Sequence, residues 1–349
     1  LQLTPQVPVK NIDGSWGGGD VVNGANVFAP VNPIAIANLK TNNNVRRQFL
    51  GGLNVGIKII KDLYFRTSFN TNVGYQNYTY YQPTYAIGWA RNVTASLNNS
   101  TGVNTYWNWN QLLEYTKQLG KHNISLMASH ESQASDWKNE SASRTGFLTN
   151  DIYDLNAGDP LTSSNSGGSG TWAMESYLGR LSYNYDNRYL VVGTLRRDGS
   201  VNFGPDNKWG QFPSVSAAWR VSQEKFFAVP FISDLKLRFE TGTTGNQGGG
   251  GGIYSPLSTG ATPSGTGFLP SRYKNPGLKW EETKTNNFGI NLGLFKNRIQ
   301  LEFDYYIKNT NNLLMDNPLP WYMGTNGTGS VGSPIVNLGS LQNKGWGFT

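Results

Sequence analysis

Apolar and polar residues alternate over several stretches of the chain. Between residues 298 and 305 every second residue is apolar, and the residues between them are polar or charged. The apolar set is Ile299, Leu301, Phe303 and Tyr305, and the polar set is Gln300, Glu302 and Asp304. The same alternation occurs over residues 235–240 and 287–294. Because successive side chains of a strand point to opposite faces, the pattern predicts strands with one apolar and one strongly polar face.

The alternating segments come in pairs. The predicted strand pairs are 46–60 with 63–81, 106–118 with 123–137, 172–185 with 188–197, 211–222 with 235–244, and 278–295 with 298–313. Four pairs are joined by tight turns, at Lys61-Asp62, Gly120-Lys121, Asp186-Asn187 and Lys296-Asn297. A further strand begins near Asn343.

Long polar stretches separate these hairpins. The predicted loops are residues 1–44, 82–105, 138–171, 198–210, 244–277 and 309–342. Short turns on one side and long loops on the other are typical of a bacterial outer-membrane barrel, whose long loops are extracellular. The sequence therefore predicts one unit over residues 1–349, a partial transmembrane β-barrel with long extracellular loops.

Strand length separates this interpretation from a soluble β-sandwich, which shows the same alternation. Several segments exceed the mean strand of about 5–6 residues and reach the roughly 9–11 that cross a bilayer. Aromatic residues are 13% and charged residues 15% of the chain, whereas a typical soluble domain has about 25% charged residues. A barrel with a lipid face and a polar lumen fits this composition.

The composition also limits the chemistry. There is no cysteine and there are two histidines, so we expect neither a zinc site nor a cysteine nucleophile. The sequence has no Gly-x-Ser-x-Gly motif, which would indicate a hydrolase. We therefore predict no enzyme, no catalytic residue and no cofactor. The net charge is +7, but the basic residues are scattered, which argues against nucleic-acid binding. Asp198, Asp206 and Asn207 leave calcium open, although turn formation explains them as well.

Four blocks of the sequence resemble the SusC/RagA family of TonB-dependent outer-membrane transporters. They contain KDLYFRTSF (residues 61–69), YLGRLSYNYDNRYLVVGTLRRDGSVNFGPDNKWGQFPSVSAAWRVSQEKFF (177–227), ISDLKLRFETGTTGNQ (232–247) and NPGLKWEETKTNNFGINLGLFKNRIQLEFDYYIKNTNNLL (275–314), followed by NPLP and NKGW. They cover well over half of the chain, and their order strengthens the resemblance.

The resemblance implies a fold and a function. The fold is an all-β transmembrane barrel of about 22 strands with a plug domain, of which this chain would supply about half the wall and no plug. The function is the import of oligosaccharides or peptides across the outer membrane of Bacteroidota, driven by TonB-ExbB-ExbD through regions outside this chain, with a SusD-like surface lipoprotein as a lid. The chain also has no recognisable TonB box, so we expect it to be an internal piece.

Ligand contacts are the remaining site hypothesis. Sugars are held by aromatic platforms and planar polar groups, and peptides by hydrogen bonds and opposite charges. The loop candidates are Trp172, Trp209, Trp321 and Tyr322, and the polar-face candidates are Arg238, Glu240, Glu302 and Asp304. Trp209 could instead pack within its own loop, and Trp321 and Tyr322 could meet the lid partner or lipid headgroups.

The sequence thus predicts a nutrient importer of the outer membrane, with an oligosaccharide favoured over a peptide as the ligand. The alternative is a non-transporting barrel that acts as a surface adhesin or scaffold.

Overall fold

The computed structural model of the protein describes residues 8–19, 21–22, 25–26, 32–249, 252–324 and 331–349. The chain divides into two compact units. The first comprises Leu1–Gly51, Thr71–Trp107 and Ser135–Thr171, and the second comprises Gly52–Asn70, Asn108–Ala134 and Trp172–Thr349.

Strands dominate both units. In chain order they are β1 (Val21–Val22), β2 (Ala25–Asn26), β3 (Thr41–Ile60), β4 (Leu63–Gln82), β5 (Tyr85–Ile87), β6 (Ala90–Asn92), β7 (Ser96–Leu119), β8 (His122–Thr145), β9 (Ser164–Tyr185), β10 (Tyr189–Ser200), β11 (Trp209–Arg220), β12 (Ile232–Asn246), β13 (Leu257–Thr262), β14 (Gly265–Pro270), β15 (Glu281–Leu294), β16 (Ile299–Asn311), β17 (Leu314–Asp316), β18 (Ile335–Asn337) and β19 (Ser340–Phe348).

Helices are few and short. One α-helix, α1 (Pro33–Leu39), begins at Asn32, whose side chain accepts hydrogen bonds from the backbone N–H groups of Ile34 and Ala35. Four 3₁₀ turns lie at Leu155–Ala157, Pro160–Thr162, Val221–Gln223 and Trp321–Met323. In the described ranges, no helix has the length and apolar character to cross a membrane.

Eleven strands form one sheet in the order β19-β16-β15-β12-β11-β10-β9-β8-β7-β4-β3. All five predicted hairpins are confirmed as neighbours in this order, and eleven strands are half of the number that the family resemblance implies. The tight turns are where the sequence places them. Between Tyr185 and Tyr189, for example, Asp186 and Asn187 both have positive φ.

The strands of the first three hairpins are longer than the alternation predicts. β7 begins ten residues before the predicted Tyr106, at Ser96, and β8 extends to Thr145. The added segments are rich in Asn, Ser and Thr on both faces, so no apolar alternation reveals them. Loop residues 138–171 therefore include the ends of two strands.

The register separates the two faces of the sheet. Leu237 pairs with Trp219 on one side and with Ile290 on the other, and these apolar side chains remain exposed. The alternate residue Arg238 pairs with Ala218 and Gly289 on the polar face. The alternation read from the sequence is thus confirmed, and the apolar side chains lie on the outside, as a lipid-facing wall requires.

Burial is concentrated under the long loops. In the second unit, Phe203, Phe212, Ile253, Leu278 and Trp280 form one buried cluster. A separate cluster in the first unit contains Tyr81, Ala95, Leu97 and Phe147. The loops thus have hydrophobic cores of their own.

The glycine run 248–252 is part of this packing. Gly252 accepts a hydrogen bond from the backbone of Asn275 at 2.6 Å, and a Cβ on Gly252 would lie 3.0 Å from Leu278. The missing side chain at Gly252 allows the backbone to approach the buried cluster. Residues 250 and 251 lie outside the described residues.

Candidate ligand-binding site

The four predicted polar-face residues come together around one guanidinium group. Arg238 of β12 forms ion pairs with Glu302 and Asp304 of β16, the latter at 3.2 Å, and approaches Glu240 at 3.8 Å. Asn287 of β15 also donates a hydrogen bond to Asp304 at 3.0 Å. The arrangement places three carboxylates around one cation on the polar face.

A glycine makes this cluster possible. β15 lies between β12 and β16, and Gly289 of β15 pairs with Arg238 on one side and Asp304 on the other. A Cβ on Gly289 would lie 2.7 Å from a carboxylate oxygen of Asp304 and 2.8 Å from a guanidinium nitrogen of Arg238. The side chains therefore meet across an intervening strand because that strand has no side chain there.

The side chains of the Arg238 cluster differ in how far they are exposed. The Arg238 side chain is only 18% exposed, and both of its terminal nitrogens face carboxylates. Glu240 and Glu302 keep a larger exposed surface. Carboxylates accept hydrogen bonds from hydroxyl or amine groups, so these two residues, rather than Arg238, are the members that can meet a ligand.

Trp172 lies on the same strand face as the Arg238 cluster but in a different environment. Its indole N–H donates to the side-chain oxygen of Gln247 at 3.3 Å. The same oxygen accepts a hydrogen bond from the buried hydroxyl of Ser200 at 2.5 Å and one from Asn202 at 3.3 Å. One amide oxygen, in the residue after β12, thus joins the middle of β9, the end of β10 and the β10–β11 loop.

Trp209 lies on the opposite face. It pairs with Gly199, whose missing side chain leaves room for the indole ring, and the guanidinium of Arg197 lies 4.7 Å above that ring. Tyr177 contacts it at a centroid distance of 6.0 Å. Trp209 therefore packs on neighbouring strands on the face that carries Val191 and Leu195.

Trp321 and Tyr322 are isolated from these groups. They form a 3₁₀ turn, and they are 76% and 82% exposed. The neighbouring Met323 anchors the turn, because its carbonyl accepts a hydrogen bond from the hydroxyl of Tyr273 at 2.6 Å. Both aromatic side chains are thus presented to the surroundings from a tethered loop.

Metal ligation has no basis in the described ranges, where no group of three or more His, Cys, Asp or Glu side chains could hold an ion. Asp198, one of the residues that left calcium open, is held instead by Arg196 at 2.9 Å. Asn207 donates to the carbonyl of Gly277 at 3.1 Å.

Sequence reasoning missed Gln247 and Gly289. Gln247 follows the predicted strand in a polar Gly-Asn-Gln run and has no distinguishing pattern. Gly289 was assigned to the polar face without a role. A glycine inside an alternating strand signals a close approach, and that signal could have identified the contact between Arg238 and Asp304.

A sheet with an exposed apolar face, a charged opposite face, short turns and long folded loops defines the wall of an outer-membrane β-barrel. Residues 6–348 match the family described as TonB dependent receptor-like, beta-barrel. The chain belongs to this family and to the bacterial outer membrane. Its members are receptors and transporters, not enzymes, which agrees with the prediction from sequence.

Named relatives support the same conclusion. The chain is 31% identical over 376 residues to TonB-dependent receptor P3 of Formosa agariphila, covering 96% of this chain and 36% of that protein. It is 32% identical over 345 residues to TonB-dependent receptor SusC of Bacteroides thetaiotaomicron, covering 93% of this chain and 32% of that protein. The chain thus spans about a third of the length of these relatives.

A solved structure shows the same fold. The structure described as that of the RagAB peptide transporter superposes with a TM-score of 0.87 at 23% identity, covering 97% of this chain and 37% of that one. This structure supports the fold, and the family match together with the identity to SusC confirms the resemblance to the SusC/RagA family.

Proposed function

We propose that the protein containing this chain is a TonB-dependent importer of the outer membrane, and that its cargo is an oligosaccharide. Family membership over residues 6–348 carries the proposal. The charged face adds support, because a polar lumen of a large barrel is a route for hydrophilic solutes.

The cargo class follows from the candidate contacts. Glu240, Glu302 and Trp172 share the polar face, and exposed carboxylates with an aromatic ring suit hydroxyl groups on a carbon skeleton. Trp321 and Tyr322 add exposed aromatic surface in a loop. We keep Arg238 and Asp304 as supports of this site, and we assign Trp209 to wall packing rather than to the ligand.

The same proposal includes the side of the membrane on which the loops lie and the proteins that act with the importer. The loops that follow the long strands are extracellular, and a SusD-like surface lipoprotein covers them as a lid. Trp321 and Tyr322 are suitable contacts for that lid. TonB-ExbB-ExbD supplies energy through parts of the protein other than this chain, and outer-membrane lipid surrounds the apolar face.

Peptide import is the second candidate. One solved relative of the same fold is described as a peptide transporter, and the carboxylates around Arg238 could equally receive a peptide's amino groups. Because that likeness is at 23% identity, it supports the fold, and the cargo needs a direct test.

The test is uptake by cells that carry the full-length gene or an in-frame deletion. Fluorescent oligosaccharide and peptide libraries are supplied separately, with and without a protonophore. We expect the deletion and the protonophore to abolish oligosaccharide uptake, while surface binding survives the protonophore. Uptake of peptides alone would reassign the cargo. Loss of cell adhesion without loss of any uptake would favour the adhesin or scaffold instead.

The partner is tested by affinity purification of the full-length protein from outer membranes. A surface lipoprotein recovered in equal amount is the expected result. Recovery of the barrel protein alone after mild solubilisation would contradict the lid.

A further inference from the structure

A depression on the first unit has the composition of a sugar-binding subsite. It has a volume of about 420 Å³ and is formed by segments 46–48, 74–76, 102–104 and 137–139 of four strands. This volume is within the range of small-molecule sites, which is about 300–1,000 Å³. None of these residues was among the predicted ligand contacts.

Strand alternation decides which side chains line the depression. Gln48 donates to Asn72 at 2.9 Å, so these two side chains share a face of β3 and β4. Arg46 lies two residues before Gln48 and Gly74 lies two residues after Asn72, so both are on the same face. The lining side chains are accordingly those of Arg46, Gln48, Gln76, Asn104, Trp137 and Asn139. The residues between them in each segment contribute backbone to the floor.

Two glycines create the space. A Cβ on Gly74 would meet only the carbonyl of Asn104 at 3.9 Å, and one on Gly102 only that of Lys138 at 3.7 Å. Neither glycine is required by a neighbouring atom or by a positive φ. Their effect is to leave the floor of the depression open between longer side chains.

Trp137 forms a flat wall. Its ring lies against Gly168 and Gly170 of β9, where an added Cβ would come within 3.5 Å and 2.6 Å of it. The side chain nevertheless remains 49% exposed. One ring face thus rests on glycine backbone and the other is available for stacking, as in aromatic platforms for sugar rings.

Four polar side chains and the indole N–H of the depression have no partner among the described residues. Within the described part of the chain, the side chains of Arg46, Gln76, Asn104 and Asn139 make no hydrogen bond or ion pair. The indole N–H of Trp137 is equally free there. Planar amide and guanidinium groups are suited to paired hydroxyls or to an acidic group. This differs from Arg238, whose charge is already satisfied by carboxylates.

Charge narrows the ligand class. Arg46 is the one charged side chain on the lining face, and none of the residues that form the depression is an Asp or Glu. An unpaired guanidinium without a competing carboxylate favours an anionic group on the ligand.

The length of β8 allows the depression to lie outside the bilayer. β8 has 24 residues, whereas about 9–11 suffice to cross the bilayer. Trp137 lies fifteen residues after His122, the first residue of β8. Alternation along β8 puts it on the face that carries Glu131, which is the polar face.

We propose that this depression binds an oligosaccharide bearing an acidic substituent, with a sugar ring stacked on Trp137 and its carboxylate or sulfate on Arg46. The proposal rests on the oligosaccharide cargo proposed above and adds a location and a charge preference to it.

The experiment measures binding of the purified full-length protein to an array of neutral, uronate-bearing and sulfated oligosaccharides, followed by calorimetry on the best binder. We expect Trp137→Ala to weaken binding about tenfold or more through the lost stacking contact. Trp109→Ala is the matched control, because Trp109 is also 49% exposed and lies outside the depression. We expect its effect to be less than about twofold.

Two further variants test the charge and the space. Arg46→Gln should remove the preference for acidic over neutral oligosaccharides, whereas Arg47→Gln, on the other face, should leave it unchanged. Gly74→Leu should fill the depression and abolish binding without backbone conflict. Gly193→Leu is its control, because an added Cβ at Gly193 meets no atom within 4 Å.

The outcomes separate the two proposals. A wild-type protein that binds no oligosaccharide overturns both. If Trp137→Ala and Gly74→Leu bind oligosaccharides as tightly as the wild-type protein does, the depression is not the binding site. The proposed oligosaccharide cargo then still stands. A preference for acidic over neutral sugars that survives Arg46→Gln overturns the charge assignment. The uronate and sulfate arms identify which anionic group Arg46 receives.

Discussion

Arg238 and Asp304 pair at 3.2 Å although they belong to strands that are not neighbours. Their side chains meet above Gly289 of the intervening strand. The contact links three strands of the wall through side chains as well as through the backbone ladder.

Substitution of Gly289 should break this contact. In Gly289→Ala the new Cβ would lie within 2.8 Å of both partners, so at least one must move. We expect the free energy of unfolding to fall by about 1 kcal/mol, since the hydrogen bonds between Arg238 and Asp304 are lost while Arg238 keeps Glu302 as a partner. Urea unfolding of the full-length protein in vesicles measures this. Gly179→Ala is the control, since its added Cβ meets no atom within 4 Å. Equal stability of the two variants would contradict the role of Gly289.

Gln247 should hold the β10–β11 loop closed through its side-chain oxygen. Gln247→Ala removes the acceptor of the Trp172, Ser200 and Asn202 donors. A buried donor without a partner costs about 1–3 kcal/mol, so we expect the β10–β11 loop to open more often. Limited proteolysis of intact cells should then cleave this loop faster.

The control for Gln247 is Gln247→Glu. It keeps an oxygen acceptor in the same place and should retain more protease resistance than Gln247→Ala. Identical cleavage rates in wild type and Gln247→Ala would show that the shared oxygen is not what holds the loop.

The sequence and the structure agree best where a single face is apolar. Residues 298–305 alternate because one side of β16 meets lipid, and lipid tolerates few charges. That constraint predicted the five hairpins and the polar faces of β12 and β16. Outside the bilayer both faces of a strand are wet, so the first ten residues of β7 carry no alternation and were assigned to a loop.

The rest of the candidate site depends on contacts between residues distant in sequence. Trp209 and Trp172 are both tryptophans near strand ends, and only the register places them on opposite faces. The depression beside Trp137 arises because Gly74, Gly102 and Gly170 lie on separate strands around it. No local pattern in the sequence predicts such a coincidence.

The two faces predict opposite responses to charge. Val215 is exposed on the apolar face and the next residue, Ser216, pairs with Glu240 on the polar face. Val215→Lys should lower the free energy of unfolding by about 2–4 kcal/mol if it lies near the bilayer midplane. Ser216→Lys should be tolerated because it faces a carboxylate. Folding into lipid vesicles, followed by electrophoretic mobility, measures both, and equal tolerance would contradict the lipid-facing assignment.

The short turns carry charges that should make stability depend on pH. Lys121 and Arg188 hold the pKa of Asp186 below its usual value of 3.8, with Lys121 at 2.8 Å and Arg188 at 2.6 Å. Hydrogen bonds from Tyr189 and Trp219, together with Arg188, lower the pKa of Glu224 in the same way. These contacts join the β7–β8 turn, the β9–β10 turn and the link after β11.

The sign follows from the direction of the shift. A carboxylate whose pKa is lower in the folded state stabilises that state at pH values above its unfolded pKa, and the stabilisation is lost as the pH falls through the folded pKa. Asp186→Asn should therefore be less stable than wild type at pH 7, and the difference should shrink below about pH 4. The urea midpoint measured from pH 7 to pH 3 gives both quantities.

The control is Asp206→Asn, because Asp206 is an exposed loop residue without an ion pair in the described ranges. Its midpoint should follow wild type throughout. At low pH the wild-type Asp186 loses its charge, so a charge effect on the urea midpoint should shrink. A difference in midpoint between Asp186→Asn and wild type that persists unchanged to pH 3 would mean that the side chain acts through turn geometry.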